Sequence, residues 1–139
     1  MKAVITVDST LAGITRAHAL VEQAGAAESL DARAVFAVKL ALEEVLANIG
    51  AYAWDDGQTH QIQVELEVTP DGAVALAVED DGCPFDPLAV PPPPVDAPLE
   101  EREPGGLGVF LTRRMMDTVR YERVGDRNRL TMTRRGRAP

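Results

Sequence analysis

The chain has 139 residues, 45% hydrophobic and 26% charged, a composition that suits one globular domain with a real core. No apolar run approaches the ~20 residues of a membrane span, and the opening MKAVITVDST lacks the apolar core of a signal peptide. A net charge of -8 argues against general binding to nucleic acid or an anionic membrane, and one cysteine makes no internal disulfide, so a reducing cytoplasm is the expected compartment.

Residues 3–7 are a short β-branched run that predicts a first strand. Asp8, Ser9 and Thr10 offer an N-cap for a helix over residues 11–24, with Leu11, Ile14, Ala17, Leu20 and Val21 on one side and Gly25 as its end. A second helix is predicted within residues 30–54, capped by Asp31 and broken by Asp55-Asp56-Gly57. Its Val35, Val38, Leu42, Val45, Leu46 and Ile49 recur at three- and four-residue steps and line one face. Residues 61–68 alternate polar and apolar, as a strand with one wet face does. Pro70-Asp71-Gly72 is a turn, and residues 73–78 are more continuously apolar, hence a more central strand.

Periodicity is lost between Pro87 and Gly106, where four consecutive prolines, Pro91 to Pro94, forbid a helix. A structureless stretch of this length reads as a lid or a disordered segment. A third helix is predicted over residues 107–117, with Leu107, Val109, Phe110, Leu111 and Met115 as core candidates. Residues 118–121 and 130–133 predict a closing hairpin across Gly125-Asp126-Arg127-Asn128, and residues 135–139 a frayed tail. Nine arginines from Arg113 to Arg137 stand against Asp117, Glu122 and Asp126, a cluster read as solvated faces, with a docking surface as the alternative. The order β-α-α-β-β-lid-α-β-β predicts one α+β domain over residues 1–139, its helices layered against one sheet.

Three segments carry chemistry. Glu44 and Asn48 are four apart and stand one above the other on the second helix. The carboxylate suits a proton acceptor, and the carboxamide oxygen suits a hard cation such as Mg²⁺. Alone, that spacing is also the spacing of a solvated helix face. Asp80-Asp81-Gly82-Cys83-Pro84-Phe85 ends the central strand, where a carboxylate beside a tight turn can accept a hydrogen bond from a base amino group. Gly105-Gly106-Leu107-Gly108 opens a helix, and free amides at a helix start favour phosphate. The glycines are not a P-loop: GxxxxGK[ST] is absent, and the lysines are Lys2 and Lys39. They follow a long loop rather than a strand, so they are not the dinucleotide fingerprint either.

With these residues the chain resembles the stand-alone GHKL-type ATP-binding domains, and most closely the RsbW-like anti-sigma regulatory factors. Those are serine/threonine-protein kinases related in fold to histidine-kinase ATPase domains. The matching stretches are LEEVLANIGAYAW (N box), VEDDGCPFDP (G1 box) and GGLGVFLTRRMMDTVRYER with the later Asn128-Arg129-Leu130 (G2 box and closing hairpin). They occur in the right order over nearly the whole chain. The resemblance implies a two-layer α/β sandwich of the Bergerat type, with a mixed, mostly antiparallel sheet and helices on one face. It implies ATP and Mg²⁺ as cofactors. Asn48 is then the Mg²⁺-binding asparagine and Glu44 the catalytic base. Asp80 reads the adenine amino group, and Gly82, with Pro84 at the second small position of the G1 box, lets the base lie against the backbone. Gly106 and Gly108 flank the phosphates with the Leu107 and Val109 amides nearby, and residues 86–105 form the ATP lid.

The chain departs from the family where His and Tyr often follow the N-box asparagine; Tyr52 and Trp54 stand there, expected to shape the nucleotide pocket or else to be aromatic core. Arg102 in the lid is a candidate contact for the γ-phosphate. Cys83 reads as a small loop residue, and His18 and His60 carry no ligand role. The implied function is phosphorylation of a serine or threonine on a STAS-type anti-anti-sigma partner in cytoplasmic partner-switching signalling. A sigma factor or other regulated protein is the second partner, and a homodimer through the first strand and helix stays open. The competing readings are a nucleotide-dependent binding module without kinase activity and a detached histidine-kinase-type catalytic domain.

Overall fold

Alternation of apolar and polar residues builds the sheet of this protein, described by a computed structural model for residues 1–89 and 106–138, with side chains of residues 106–110 left undescribed. Five strands are present among these residues: β1 (Lys2–Val7), β2 (Ile62–Val68), β3 (Ala73–Asp80), β4 (Thr118–Val124) and β5 (Arg127–Arg135). They lie in the order β1-β2-β3-β5-β4, and every neighbouring pair is antiparallel, a more uniform sheet than the mixed one expected. β3 is the middle strand, as its continuous apolar run predicts.

The helices are α1 (Leu11–Ala27), α2 (Ala32–Tyr52) and α3 (Gly106–Met115). Val64, Leu66 and Val68 of β2, Val74, Leu76 and Val78 of β3, and Leu130 and Met132 of β5 are buried in one core with Leu20 and Val21 of α1 and Val38, Leu42, Val45 and Leu46 of α2. Val35 and Ile49, also expected on that face, are partly buried against it. The alternate strand residues, among them Glu65, Glu79, Arg127 and Arg129, point to the opposite, open face, where they pair with one another. This is the two-layer α+β architecture, helices on one side of an antiparallel sheet.

Several expected ends move. Gly25 does not terminate α1; it lies buried within the helix, where a Cβ would stand 2.6 Å from a methyl of Val35. The absent side chain lets α1 and α2 close up, and the chain leaves the helix at Ser29, which takes a φ of 53°. Thr10 caps α1 by accepting from Gly13 N at 3.2 Å. Asp31 occupies the N-cap position of α2 without a side-chain cap bond. β4 and β5 are longer than expected and join at Gly125-Asp126, so Arg127 and Asn128 belong to β5 rather than to the turn.

The tail is not frayed at Arg137, whose guanidinium donates to Glu28 O at 2.7 Å and to Pro70 O at 3.1 Å. In α3 the buried positions are Thr112 and, just past the helix, Met116; Leu111 and Met115 are half-buried. The expected core side chains Leu107, Val109 and Phe110 lie outside the described side chains. Of the segment expected as the lid only the start is described, where Pro87–Ala89 make a 3-10 turn; residues 90–105, with Arg102, lie outside the described residues.

Candidate functional site

The amphipathic turn of α2 and the end of β3 converge on one cavity, about 580 Å³ with its open mouth included. Val45, Asn48, Ile49 and Ala53 line it from α2 and its end. Val78 and Asp80 come from β3, and Phe85, Pro87 and Leu88 from the segment that follows. Thr112 of α3, Val119 and Tyr121 of β4, and Asn128 and Leu130 of β5 complete it. The lining is mostly apolar with a few convergent polar groups, the make-up of a small-molecule site.

Asp80 is the buried carboxylate of this cavity, only 3% exposed. Leu76, Val78 and Asp80 alternate along β3 onto the buried face, so strand period alone turns this carboxylate inward. Its Oδ1 accepts from Gly82 N at 2.8 Å and from Asn128 Nδ2 at 3.0 Å. No bond is made by Oδ2 to any described residue. Buried carboxylates need partners, and here the protein supplies them to one oxygen only.

Gly82 is required by packing. A Cβ there would stand 2.4 Å from Ala53 Cβ and 2.5 Å from Ala53 O, and the adjacent Cys83 N donates to Ala53 O at 2.9 Å. The turn after β3 is thereby pressed onto the C-terminal end of α2. Pro84 is exposed and does not line the cavity; Cys83 is also exposed, a small loop residue as expected.

Asn48 lines the cavity, half-buried, and its carboxamide has no hydrogen-bond partner among the described residues. Glu44 lies one helical turn before it, half-buried, outside the cavity lining. Gly106, Leu107, Gly108 and Val109 form the first turn of α3, whose opening amides have no intrahelical acceptor. Tyr52 stacks on Phe85, with ring centroids 5.6 Å apart, and so backs the cavity wall from behind. Trp54 does not line the cavity. It stacks on His60 at 4.2 Å, donates from Nε1 to Asp81 Oδ1 at 3.2 Å, and packs against the core. His60 also contacts Asp56, whose carboxyl is held below its ordinary range by the Gln58 backbone N–H and then by His60. Arg113, expected on a solvated face, donates to Leu88 O at 3.0 Å and ties α3 to the 3-10 turn at residues 87–89.

Asn128, Tyr121 and Thr112 line the cavity; they fall in the stretches matched as the G2 box and closing hairpin, where no site role was expected of them. Asn128 is brought to Asp80 by strand register, since the two are direct partners across β3 and β5. One signal was present in the sequence: Asn128, Leu130 and Met132 share a phase, so the asparagine falls on the buried face.

Residues 7–134 match the family described as the histidine kinase-like ATPase domain. The chain is 34% identical over 102 residues to the serine/threonine-protein kinase BtrW of Bordetella bronchiseptica, a match that covers 73% of this chain and 71% of that protein. Its fold is similar to that in the crystal structure of the RsbU and RsbW domains of Rv1364c from Mycobacterium tuberculosis, with a TM-score of 0.71 and 16% identity over 100% of this chain and 33% of the other. It is also similar to the histidine kinase domain of the blue-light activated histidine kinase EL346 from Erythrobacter litoralis, with a TM-score of 0.55 and 17% identity over 89% of this chain and 59% of the other. This chain thus spans about a third of the first structure. These matches agree with the three sequence boxes and with the antiparallel sheet under its helices: the chain belongs to the histidine kinase-like ATPase domain family.

Proposed function

We propose that this protein binds ATP with Mg²⁺ in the cavity between α2 and β3 and phosphorylates a serine or threonine on a STAS-type anti-anti-sigma protein. The observation that carries the nucleotide reading is Asp80, a buried carboxylate with one oxygen held by Gly82 and Asn128 and the other left for an amino group of the ligand. The apolar lining from Ile49, Val78, Phe85 and Leu130 suits the faces of a purine. The α3 opening, Gly106 to Val109, provides amides for phosphate oxygens, and residues 86–105 form the lid.

The donor set fits Mg²⁺. Among the described residues no group of three or more His, Cys, Asp or Glu is gathered. A magnesium ion bound with a nucleotide needs few protein ligands because phosphate and water supply most of its shell. The unengaged Asn48 carboxamide is the residue that would hold it, and when bound it would neutralise charge on the phosphates. Glu44 orients the partner's hydroxyl and takes its proton. Asn48, Asp80 and the α3 amides position the nucleotide for transfer.

In its other partner state the protein holds a sigma factor or another regulated target. The setting is partner-switching signalling in the cytoplasm; no helix among the described residues is long and apolar enough to cross a membrane. A homodimer through β1 and α1 belongs to the same reading, since β1 is a sheet edge and Val4 and Leu11 are exposed.

The test is to incubate the protein with Mg-ATP and STAS proteins encoded in the same genome and to follow phosphate by mass spectrometry. Phosphoserine or phosphothreonine on one of them is expected, and Glu44→Gln is expected to lower transfer by about 10²-fold or more while leaving ATP binding intact. Equal transfer by that variant removes Glu44 as the base. ATP binding with no transfer to any of them favours the non-catalytic binding module. Acid-labile phosphate on a histidine favours the histidine-kinase reading.

A further inference from the structure

Steps of four along α2 pick out one row of side chains: Phe36, Leu40, Glu44, Asn48 and Tyr52. Each step advances about 6 Å along the axis and turns about 40°, so the row winds slowly round the helix. At one end Tyr52 stacks on Phe85 behind the cavity wall, and Asn48 lines the cavity. At the other end the row comes out on the surface: Leu40 is half-buried and Phe36 is 64% exposed. Glu44 stands between the two ends.

The residues that α2 gives to the core, Val38, Leu42, Val45 and Leu46, do not belong to this row. On the side toward α1 the charges are already taken up: Lys39 pairs with Glu22, and Glu43 lies 4.0 Å from His18. Phe36 is thus a large apolar side chain that neither the core nor α1 absorbs. An aromatic residue bordered by charged groups is the make-up of a protein–protein contact.

We propose that Phe36 and Leu40 are the docking anchor for the protein whose hydroxyl is phosphorylated. The inference rests on the kinase reading above and deepens it by naming where that partner is held. The occupant follows from reach. An acceptor hydroxyl on a folded partner has to arrive at Glu44, so the partner's surface covers the outer side of α2 there. A standard interface takes about 800 Å² from each partner, a disc of about 16 Å radius. Phe36 lies about two turns before Glu44, about 12 Å along the axis, and falls inside a disc centred on that carboxylate. The cavity lies in the other direction, at Asn48 and beyond. One row of α2 thus runs from nucleotide to base to partner, with chemistry at Glu44 and affinity at Phe36. The partner that suits it carries an apolar hollow about 12 Å from its acceptor serine or threonine.

The experiment measures phosphate transfer from the whole protein to the accepting STAS protein by steady-state kinetics, with Mg-ATP affinity and oligomeric state followed in parallel. Phe36→Ser is expected to raise the KM for that partner about tenfold or more, the effect of truncating an aromatic anchor. The kcat at saturating partner and the affinity for Mg-ATP are expected to stay unchanged. Phe36→Leu, which keeps an apolar side chain, is expected to recover most of the loss. Val124→Ser is the control. Val124 is also exposed, but it lies at the end of β4 beside the register that joins Asn128 to Asp80, and its substitution is expected to leave the KM unchanged. An unchanged KM in Phe36→Ser, a loss confined to kcat, or an equal rise in Val124→Ser overturns the proposal. So does weaker Mg-ATP binding by Phe36→Ser, which would assign the residue to the nucleotide site. A changed oligomeric state with KM intact overturns it too, and makes the row a contact between two copies of this chain. In each of these outcomes the unsubstituted protein still transfers phosphate, so the kinase reading stands. An unsubstituted protein that transfers phosphate to no STAS protein removes the kinase reading itself, and this inference with it.

Discussion

Gly82 shows how a single residue joins packing to the site. The turn after β3 fits onto the end of α2 because nothing projects from Gly82 toward Ala53. Gly82→Ala would put a methyl 2.4 Å from Ala53 Cβ and 2.5 Å from its carbonyl oxygen, contacts that are relieved only by moving backbone. Overpacking of this kind costs about 1–3 kcal/mol. The same movement would pull Gly82 N away from Asp80 Oδ1, so ATP affinity is expected to fall along with stability. Denaturant unfolding and a nucleotide titration check the two effects; full stability with full affinity would show that the turn has room to give. At this scale the motifs lead to the cavity: Asp80 and Asn48 both line it. Pro84 shares the G1 box with Asp80 but is exposed, because box membership specifies the turn and not each side chain's direction. The phase of β5 turns Asn128 to the buried face, but its pairing with Asp80 comes from register across 48 residues of chain.

The elements themselves were legible from period, and their ends were not. A 3.6-residue repeat identified α2 and a two-residue repeat identified β2, since each buries one face of a regular structure. Gly25 reads as a stop signal but serves close approach of α1 to α2, a requirement visible only once Val35 is in place. The basic tail reads as frayed, yet Arg137 closes a three-way junction. It bonds the carbonyls of Glu28 after α1 and Pro70 in the β2–β3 turn, while Gly136 N donates to Gly72 O at 2.8 Å and Gly136 O accepts from Asp31 N at 2.7 Å. A cation at a helix C-terminus is also favoured by the helix dipole. Arg137→Ala removes two charged donors from these carbonyls and is expected to cost about 1–3 kcal/mol. Amide exchange gives the element-level signature: Asp31 N–H should exchange faster as its acceptor, Gly136 O just past β5, loosens, while amides of β3 keep their protection. Unchanged exchange at Asp31 would mean the junction holds without the guanidinium.

For the whole molecule, the net charge of -8 coexists with an ordered ladder of opposite charges on the open face of the sheet. Lys2 Nζ lies 2.9 Å from Glu65, Arg129 lies 3.7 Å from Glu65 and 3.1 Å from Glu79, and Arg127 lies 3.6 Å from Glu79. The ladder crosses β1, β2, β3 and β5, so it links strands that are far apart in sequence. The hydrogen bond from Lys2 holds the Glu65 carboxyl below its ordinary value, and the same bond raises the Lys2 ammonium above its own. Each shift acts at one end of the pH scale. The lowered carboxyl contributes stability above its unfolded value of about 4.3, and that contribution is lost as pH falls through the folded value. The raised ammonium contributes stability below its unfolded value of about 10.4, and that is lost as pH rises through the folded value. Between those limits the pair is intact, so the thermal midpoint should form a plateau and decline on both sides of it. Glu65→Gln removes both contributions at once: it should lower the plateau and make both declines shallower. Because the pair lies on the open face, with Lys2 exposed, added salt should shrink the difference between the two proteins. Thermal midpoints for both, measured across pH at low and high salt, check this. A difference that stays constant from acid to alkaline pH would show that the ladder orders the sheet face without contributing charge-dependent stability.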